Sequence, residues 1–439
     1  MRHLPPISLL LALAPSSVAQ TPISGTNIPG FGALQATVAE NTPETLLELP
    51  PGFKYTVVIR NGAAMSDGNL SPSNADGMGA FQNGNLIRLL RNHERGNGTP
   101  LGNAALAYDT LAGGGMTTLD VDPETRLLAN SFVSLGGTIR NCAGGVTPWG
   151  TWITCEETNL FNAGTQKQHG YSFEVSASAN AQVDGNLARR PFLGLLYPEA
   201  VAIDPETGIA YITMDTTPSG LFRFVPQQYG RLDLPGRLQM LAIEGAPNFN
   251  TATSSVLNVK LPVRWVDVSS PTDEVSYRQN RLVAYNEGAA QGGASIARGE
   301  GAWYARNTVY FASTSGGAIG AGQIFALHLK NNDVQALELL FESTDREILD
   351  APDNLCVTPG GNNLILCEDG SGAEYLHLLR RSGNQIYRLA KNIVPGQEGS
   401  EWAGAVFSPD GRTLFANLQG PGITFAIWPA DGRWGTINN

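Results

Sequence analysis

The sequence predicts an all-β fold, a β-propeller with an N-terminal arm, on three observations. First, from Lys54 onward one unit recurs: a short alternating strand, a turn built on Asp-Pro or Gly, and a second strand rich in β-branched and aromatic residues. Met116 to Thr125 with Asp122-Pro123, Val201 to Thr213 with Asp204-Pro205, and Ala405 to Asn417 with Pro409-Asp410-Gly411 are its clearest copies, and their turn residues supply the backbone angles that hairpins need. Second, 51 Gly and 27 Pro in 439 residues, with no collagen period, require many tight turns rather than long helices. Third, no linker divides the chain. Blades of roughly 40–50 residues fit this length about six to eight times, with an array of β-sandwiches as the rival architecture.

Taken in order, Met1 to Ala19 reads as a secretory signal. Arg2 and His3 open it, Ile7 to Ala14 is apolar, and Ser17-Val18-Ala19 offers small residues before a cut near Gln20. The apolar run is too short to span a bilayer and no later stretch qualifies, so the expectation is a periplasmic or secreted protein with no membrane partner. Residues 20–53, rich in Pro, Gly, Thr and Ala, read as an extended arm over the outside, and residues 54–439 as one propeller domain. The formal net charge of -11 argues against nucleic acid as a partner. It would also repel a polyanionic substrate unless metal ions or a focal arginine offset the field.

The chemistry concentrates in Asn141 to Glu157. Thr147-Pro148-Trp149-Gly150 has the residues of a tight turn, which sets Cys142 opposite Cys155 and brings it to the same rim as Glu156 and Glu157. Soft sulfur beside hard carboxylate oxygen suits a transition metal, carboxylates alone suit calcium, and in an exported protein the facing cysteines equally suit a disulfide. Glu199 follows Tyr197-Pro198 at the mouth of a later hairpin. In Arg298-Gly299-Glu300-Gly301 the spacing of two sends Arg298 and Glu300 to one face: Glu300 can hold a cation, and Arg298 offers a planar fork to phosphate oxygens. The bland alternative is an ion pair on a solvated face. Asp353 and Asn354 lie at one end of the hairpin Leu355 to Leu366 and Glu368 and Asp369 at the other, a dense oxygen cluster suited to calcium or iron, with Cys356 and Cys367 facing each other across it. His93 reads as a hydrogen-bonded structural histidine; Glu398 and Glu401 are weaker candidates.

Asn141 to Trp152 followed by Thr154-Cys155-Glu156-Glu157 resembles the signature segment of the PhoX-type alkaline phosphatases, exported bacterial phosphomonoesterases. Five further stretches agree in order: Glu199 to Ala202 with Asp204-Pro205, Arg298 to Trp303, Pro352 to Leu355, Cys367 to Gly370, and Trp402-Ala403-Gly404 through Phe425 to Trp428. The resemblance implies a six-bladed propeller and a cluster of Fe3+ and Ca2+. Cys142 would be the thiolate on iron, with Glu199, Glu300 and an Asp from Asp353 or Asp369 among the other ligands, and Arg298 would stabilise the transferring phosphoryl group. The expected substrate is a small phosphate monoester, acted on by a monomer. Two departures stand out: Pro198 where the family often has His, and Met214 where it often has Glu. They keep two rivals open, a calcium-dependent propeller lactonase and a non-catalytic binding propeller.

Overall fold

The computed structural model describes residues 32–269, 272–331, 334–381, 385–432 and 434. The expected signal segment and the first part of the arm, up to residue 31, lie outside the described residues. Six strands line one central channel: Ala75–Asn83, Asn141–Val146, Pro198–Ile203, Gly299–Ala305, Pro352–Val357 and Trp402–Phe407. Each packs against the next, and the last returns to the first. From each, further antiparallel strands run outward, so the fold is a six-bladed propeller.

Local sequence explains the blades. At Asp204 the side chain accepts from the Glu206 amide at 3.0 Å and the Thr207 hydroxyl at 2.7 Å, and Gly208 takes φ +73° to turn the chain back. Asp122 makes the same kind of turn before Arg126 at φ +58°. Strands such as Ile423–Pro429 are buried on both faces because each blade is sandwiched between two others, which is why they read as nearly continuous apolar runs.

The blades are not uniform. The second has three strands in its sheet. The third gains a fifth strand, Lys260–Val268, which pairs with its own Gly236–Ile243 and then with Val334–Glu342 of the fourth, fusing two blades into one nine-stranded sheet. Within the segment read as an arm two strands join the fifth blade, and the strand that follows it closes the ring. Strands Gln35–Val38 and Thr45–Leu49 extend the outer edge of the fifth blade, and Phe53–Ile59 becomes the outer strand of the sixth, paired with Ile423–Pro429. N-terminal and C-terminal residues therefore share a sheet, a latch that couples the ends of the chain.

All four cysteines are free, so the disulfide left open at Cys142 and Cys155 does not form. One register differs from expectation: Cys356 pairs across its hairpin with Ile365 rather than Cys367, because the turn closes between Thr358 and Asn363 and sets the register from there.

Blade packing is tightest where backbones meet directly. A Cβ on Gly145 would overlap the Val201 carbonyl oxygen of the next blade. Gly145→Ala is expected to lower stability by about 1–3 kcal/mol, read as a lower urea midpoint with unchanged circular dichroism at zero denaturant.

Candidate metal centre

Every inner strand breaks its ladder at the same place. Two residues bulge opposite one, at Asp76-Gly77, Cys142-Ala143, Glu199-Ala200, Glu300-Gly301, Asp353-Asn354 and Gly404-Ala405. The first residue of each bulge turns to the channel mouth. In five blades a non-glycine residue two positions earlier holds a left-handed backbone: Asn74, Arg140, Tyr197, Arg298 and Ala351, all with φ between 50° and 55°. Their carbonyls accept from the amides of Glu94, Glu157, Asp215, Thr314 and Asp369, the residues just past the second strand. Left-handed geometry costs an L-residue about 1–2 kcal/mol, so five copies in register amount to a sizeable stored strain.

The result is two tiers. Asp76, Cys142, Glu199, Glu300 and Asp353 form the deeper one; Glu94, Glu157, Asp215 and Asp369 lie above. One sulfur or carboxylate oxygen from each of Cys142, Glu157 and Glu199 falls within 4.8 Å of the others, and the same holds for Glu199, Glu300 and Asp353, so Glu199 belongs to both groups. Neighbouring blades fix the bulges. Asn92 donates to the carbonyls of Cys142 and Ala143 at 2.9 and 2.8 Å, Asn417 donates to that of Asp76, and Asn354 accepts from the Gly404 amide at 2.8 Å.

Of the residues expected at the site, Cys142, Glu157, Glu199, Glu300, Asp353 and Asp369 come together around the channel mouth. Glu156 and Glu368 stand apart. Strand alternation sends Glu156 away from its neighbour Glu157, and it accepts from the amides of Ile139, Gly170 and Tyr171 and from His169 at 2.6 Å. Burial opposes charge on His169, but Glu156 and Asp109 on its two ring nitrogens raise its pKa. Glu368 accepts from the amides of Asp350 and Tyr375. Asn354 spends its amide on Gly404 and, at 2.6 Å, on Asp353, so it orients Asp353. His93 is buried between the Ser73 carbonyl and the Thr117 hydroxyl, a structural role as expected.

Arg298 grips Asp215 at 2.8 and 3.1 Å and Glu300 at 2.6 Å. Glu300 is buried, so this is no solvated ion pair. The fork expected for phosphate is instead closed on Asp215, leaving Nη1 as the uncommitted donor. Arg140 bridges Glu94 and Glu157 at 2.9 and 2.5 Å. Asp76 and Arg140 were not singled out in the sequence. The signal for Asp76 was faint: an acid before a small residue, two positions after an unusual backbone, in copies spaced irregularly by insertions.

Electrostatics leave these carboxyls holding protons unless a cation offsets them. Burial first, and then neighbouring carboxylates, push Asp76, Glu199 and Glu300 well above the ordinary carboxylate range, and Glu157 to about 9. Burial and Asp369 take Asp353 to about 7. Burial also raises the Cys142 thiol. One buried oxygen of Asp76 has no hydrogen-bond partner among the described residues. A thiol, several carboxylates and an orphaned oxygen fit a mixed set of cations.

Below the ring the channel is plugged by Gly77, Ala143, Ala200, Gly301, Trp303 and Ala405, leaving about 20 Å³. Above it a cavity of about 250 Å³ is lined by Glu157, Tyr197, Asp215, Thr216, Thr217, Arg281 and Arg298.

Fold and site together define a propeller whose blocked channel gathers carboxylates and a sulfur beneath an arginine-flanked cavity. The alkaline phosphatase PhoX family matches residues 31–131 and 124–422, and the chain belongs to that family. A search of curated proteins finds no match. Among solved structures the chain is similar to the gluconolactonase XC5397 from Xanthomonas campestris, at 12% identity and TM-score 0.38, over 84% of this chain and 100% of that one. Others are the PQQ domain of a pyranose dehydrogenase from Coprinopsis cinerea (10%, TM-score 0.33, covering 89% and 100%) and hydrazine synthase from Kuenenia stuttgartiensis (11%, TM-score 0.37, covering 80% and 95%). These distant likenesses carry no argument about chemistry. Among the described residues no helix is long and apolar enough to cross a membrane.

The raised carboxylates fix the pH response of the metal-free protein. Between the ordinary value near 4 and the raised folded values, the folded form holds protons that the unfolded chain has released, so stability falls as pH rises. Chelated protein should melt progressively lower from pH 5 to pH 9, as Asp369, Asp353 and Glu157 pass their values of about 6, 7 and 9. Added Ca2+ should raise the melting temperature more at pH 9 than at pH 5 in differential scanning calorimetry.

Proposed function

We propose that this chain is an exported, metal-dependent phosphatase that hydrolyses phosphate monoesters with iron and calcium. The observation that carries the reading is the ring itself: Glu199 groups with Cys142 and Glu157 on one side and with Glu300 and Asp353 on the other, with Asp76 nearby, beside Arg298 and beneath an open cavity. The segment Met1 to Ala19 supports export to the periplasm or beyond.

Cys142, with Glu157 and Glu199, suits iron, because thiolate sulfur favours a transition metal; the all-oxygen group of Glu199, Glu300 and Asp353, with Asp76 near it, suits calcium. When bound, these ions neutralise phosphate oxygens and make water acidic enough to act as a nucleophile near neutral pH. The chain's own residues do the rest. Arg298, its Nε and Nη2 fixed by Asp215 and Glu300, presents Nη1 to a phosphate oxygen from a preset position, so little reorganisation is needed as charge builds during transfer. Tyr197, Thr216 and Thr217 wall the space for the leaving group. The plug leaves about 20 Å³ below the ring, room for little water on the far side, which lowers the local dielectric and strengthens these contacts.

Three measurements test this. The metal-loaded protein should turn over p-nitrophenyl phosphate, and a chelator should abolish that turnover while leaving the fold. Cys142→Ser should lose iron by elemental analysis together with activity; unchanged kinetics would make the thiol structural. Arg298→Ala should lower kcat by about 10²–10³ with metal content retained. Loss of metal instead would mean that the arginine organises ligands. A metal-loaded protein inert toward phosphate monoesters but active on lactones would sink the reading.

A further inference from the structure

The segment between Lys260–Val268 and Gly299–Ala305 folds into two short helices, Glu274–Gln279 and Val283–Ala290, seated near the channel mouth. It is firmly pinned. The buried Tyr277 hydroxyl donates to the Thr158 carbonyl at 2.8 Å and accepts from the Tyr197 amide at 2.9 Å. Arg278 donates to Gln168 at 2.7 Å and stacks 3.6 Å from the Phe161 ring centre, while the Tyr171 hydroxyl donates to Glu274 at 2.5 Å.

Arg281, in the link between the helices, is exposed. Its guanidinium lies 4.8 Å from the centre of the Tyr197 ring and lines the same cavity as Arg298. Arg140 and Arg298 each hold two carboxylates, and Arg278 holds Glu274. Among the described residues Arg281 has neither an ion pair nor a side-chain hydrogen bond; the Tyr197 face is its contact. The acids nearest it in the cavity are already engaged, Glu157 by Arg140 and Asp215 by Arg298. Arg281 is thus the uncommitted cation of a cavity whose other charges are spoken for.

An aromatic face fixes the orientation of a guanidinium while leaving all its N–H donors free, and those donors match the oxygens of phosphate. In a chain of net charge -11, such a cation at the site is what a doubly anionic substrate needs. We infer that Arg281 is a specificity residue: it binds a second phosphate on the leaving group, so that sugar bisphosphates and chemically similar esters are preferred over monophosphates. This rests on the phosphatase reading above. While one phosphate sits at the ring, the other reaches the cavity wall, held in place by the Tyr277 anchor.

The test uses the metal-loaded full chain with two substrates that share the scissile bond, a hexose 6-phosphate and the corresponding 1,6-bisphosphate, with release of inorganic phosphate as readout. The unaltered protein should show a higher kcat/KM for the bisphosphate. Arg281→Ala should cut the bisphosphate-to-monophosphate ratio of kcat/KM about tenfold, mainly through KM, and Arg281→Lys should restore part of it. A ratio that Arg281→Ala leaves unmoved, or the absence of any preference to begin with, overturns the inference while the phosphatase reading stands. Absence of turnover with both substrates overturns that reading and takes this inference with it.

Discussion

Mutual repulsion among carboxylates forced out of water is the constraint on which the rest of this structure depends. Glu199, Glu300 and Asp353 place oxygens within 4.8 Å of one another. At an effective dielectric near 20, two full charges that close repel by about 3–4 kcal/mol, and a few such pairs would consume the ~5–15 kcal/mol by which a domain is stable. The ring must hold protons or cations. Arg140 pairs with Glu94 and Glu157, and Arg298 with Asp215 and Glu300, but no lysine or arginine reaches Asp76 or Glu199 among the described ion pairs. That deficit makes a cation, not a further ion pair, the natural complement of the deeper tier.

Holding repelling groups in place requires a scaffold that cannot relax, and several features supply it. Several bulges are tied to a neighbouring blade by side chains: Asn92 holds the Cys142 bulge, Asn417 holds that of Asp76, and Asn354 holds Gly404. Phe53–Ile59 latches the last blade, preventing the ring from opening at its seam. Left-handed residues at Asn74, Arg140, Tyr197, Arg298 and Ala351 aim the chain into the channel, and the carbonyl contact each makes to the second strand keeps it there. Strain and repulsion are offset by blade packing elsewhere, as expected when a fold is shaped around a site.

Much of the fold was legible because hairpins leave local marks. Asp-Pro and Asp-Gly turns at Asp122, Asp204 and Asp410 announced where strands reverse, and those turns formed. The site was legible where an unusual residue sat inside a recognisable segment, as with Cys142 and Arg298-Gly299-Glu300. It was obscure where the deciding fact was a bulge. One extra residue per inner strand sets which side chain faces the channel, and no propensity marks that residue. Asp76 escaped notice because its blade offers only Asn74-Ala75-Asp76-Gly77, ordinary loop chemistry on paper. Glu156 and Glu157 read alike as a pair, yet alternation gives one to His169 and the other to the channel mouth.

The sixth blade departs from the pattern of the other five. At the position where the others place a thiol or an acid it has Gly404, whose Cβ would collide with the Asp76 carbonyl oxygen. Its amide is committed to Asn354, which in turn holds Asp353. The blade therefore contributes to the ring through an orienting contact and through Glu401, just before its inner strand, whose carboxyl is pushed up by burial and by Asp353, Asp76 and Asp369. The cavity opens across the ring, beside the third and fourth blades, where Tyr197, Asp215 and Arg298 stand. Access to the ring is therefore set by the residues around Tyr197 and Arg298, not by the blade that carries a glycine.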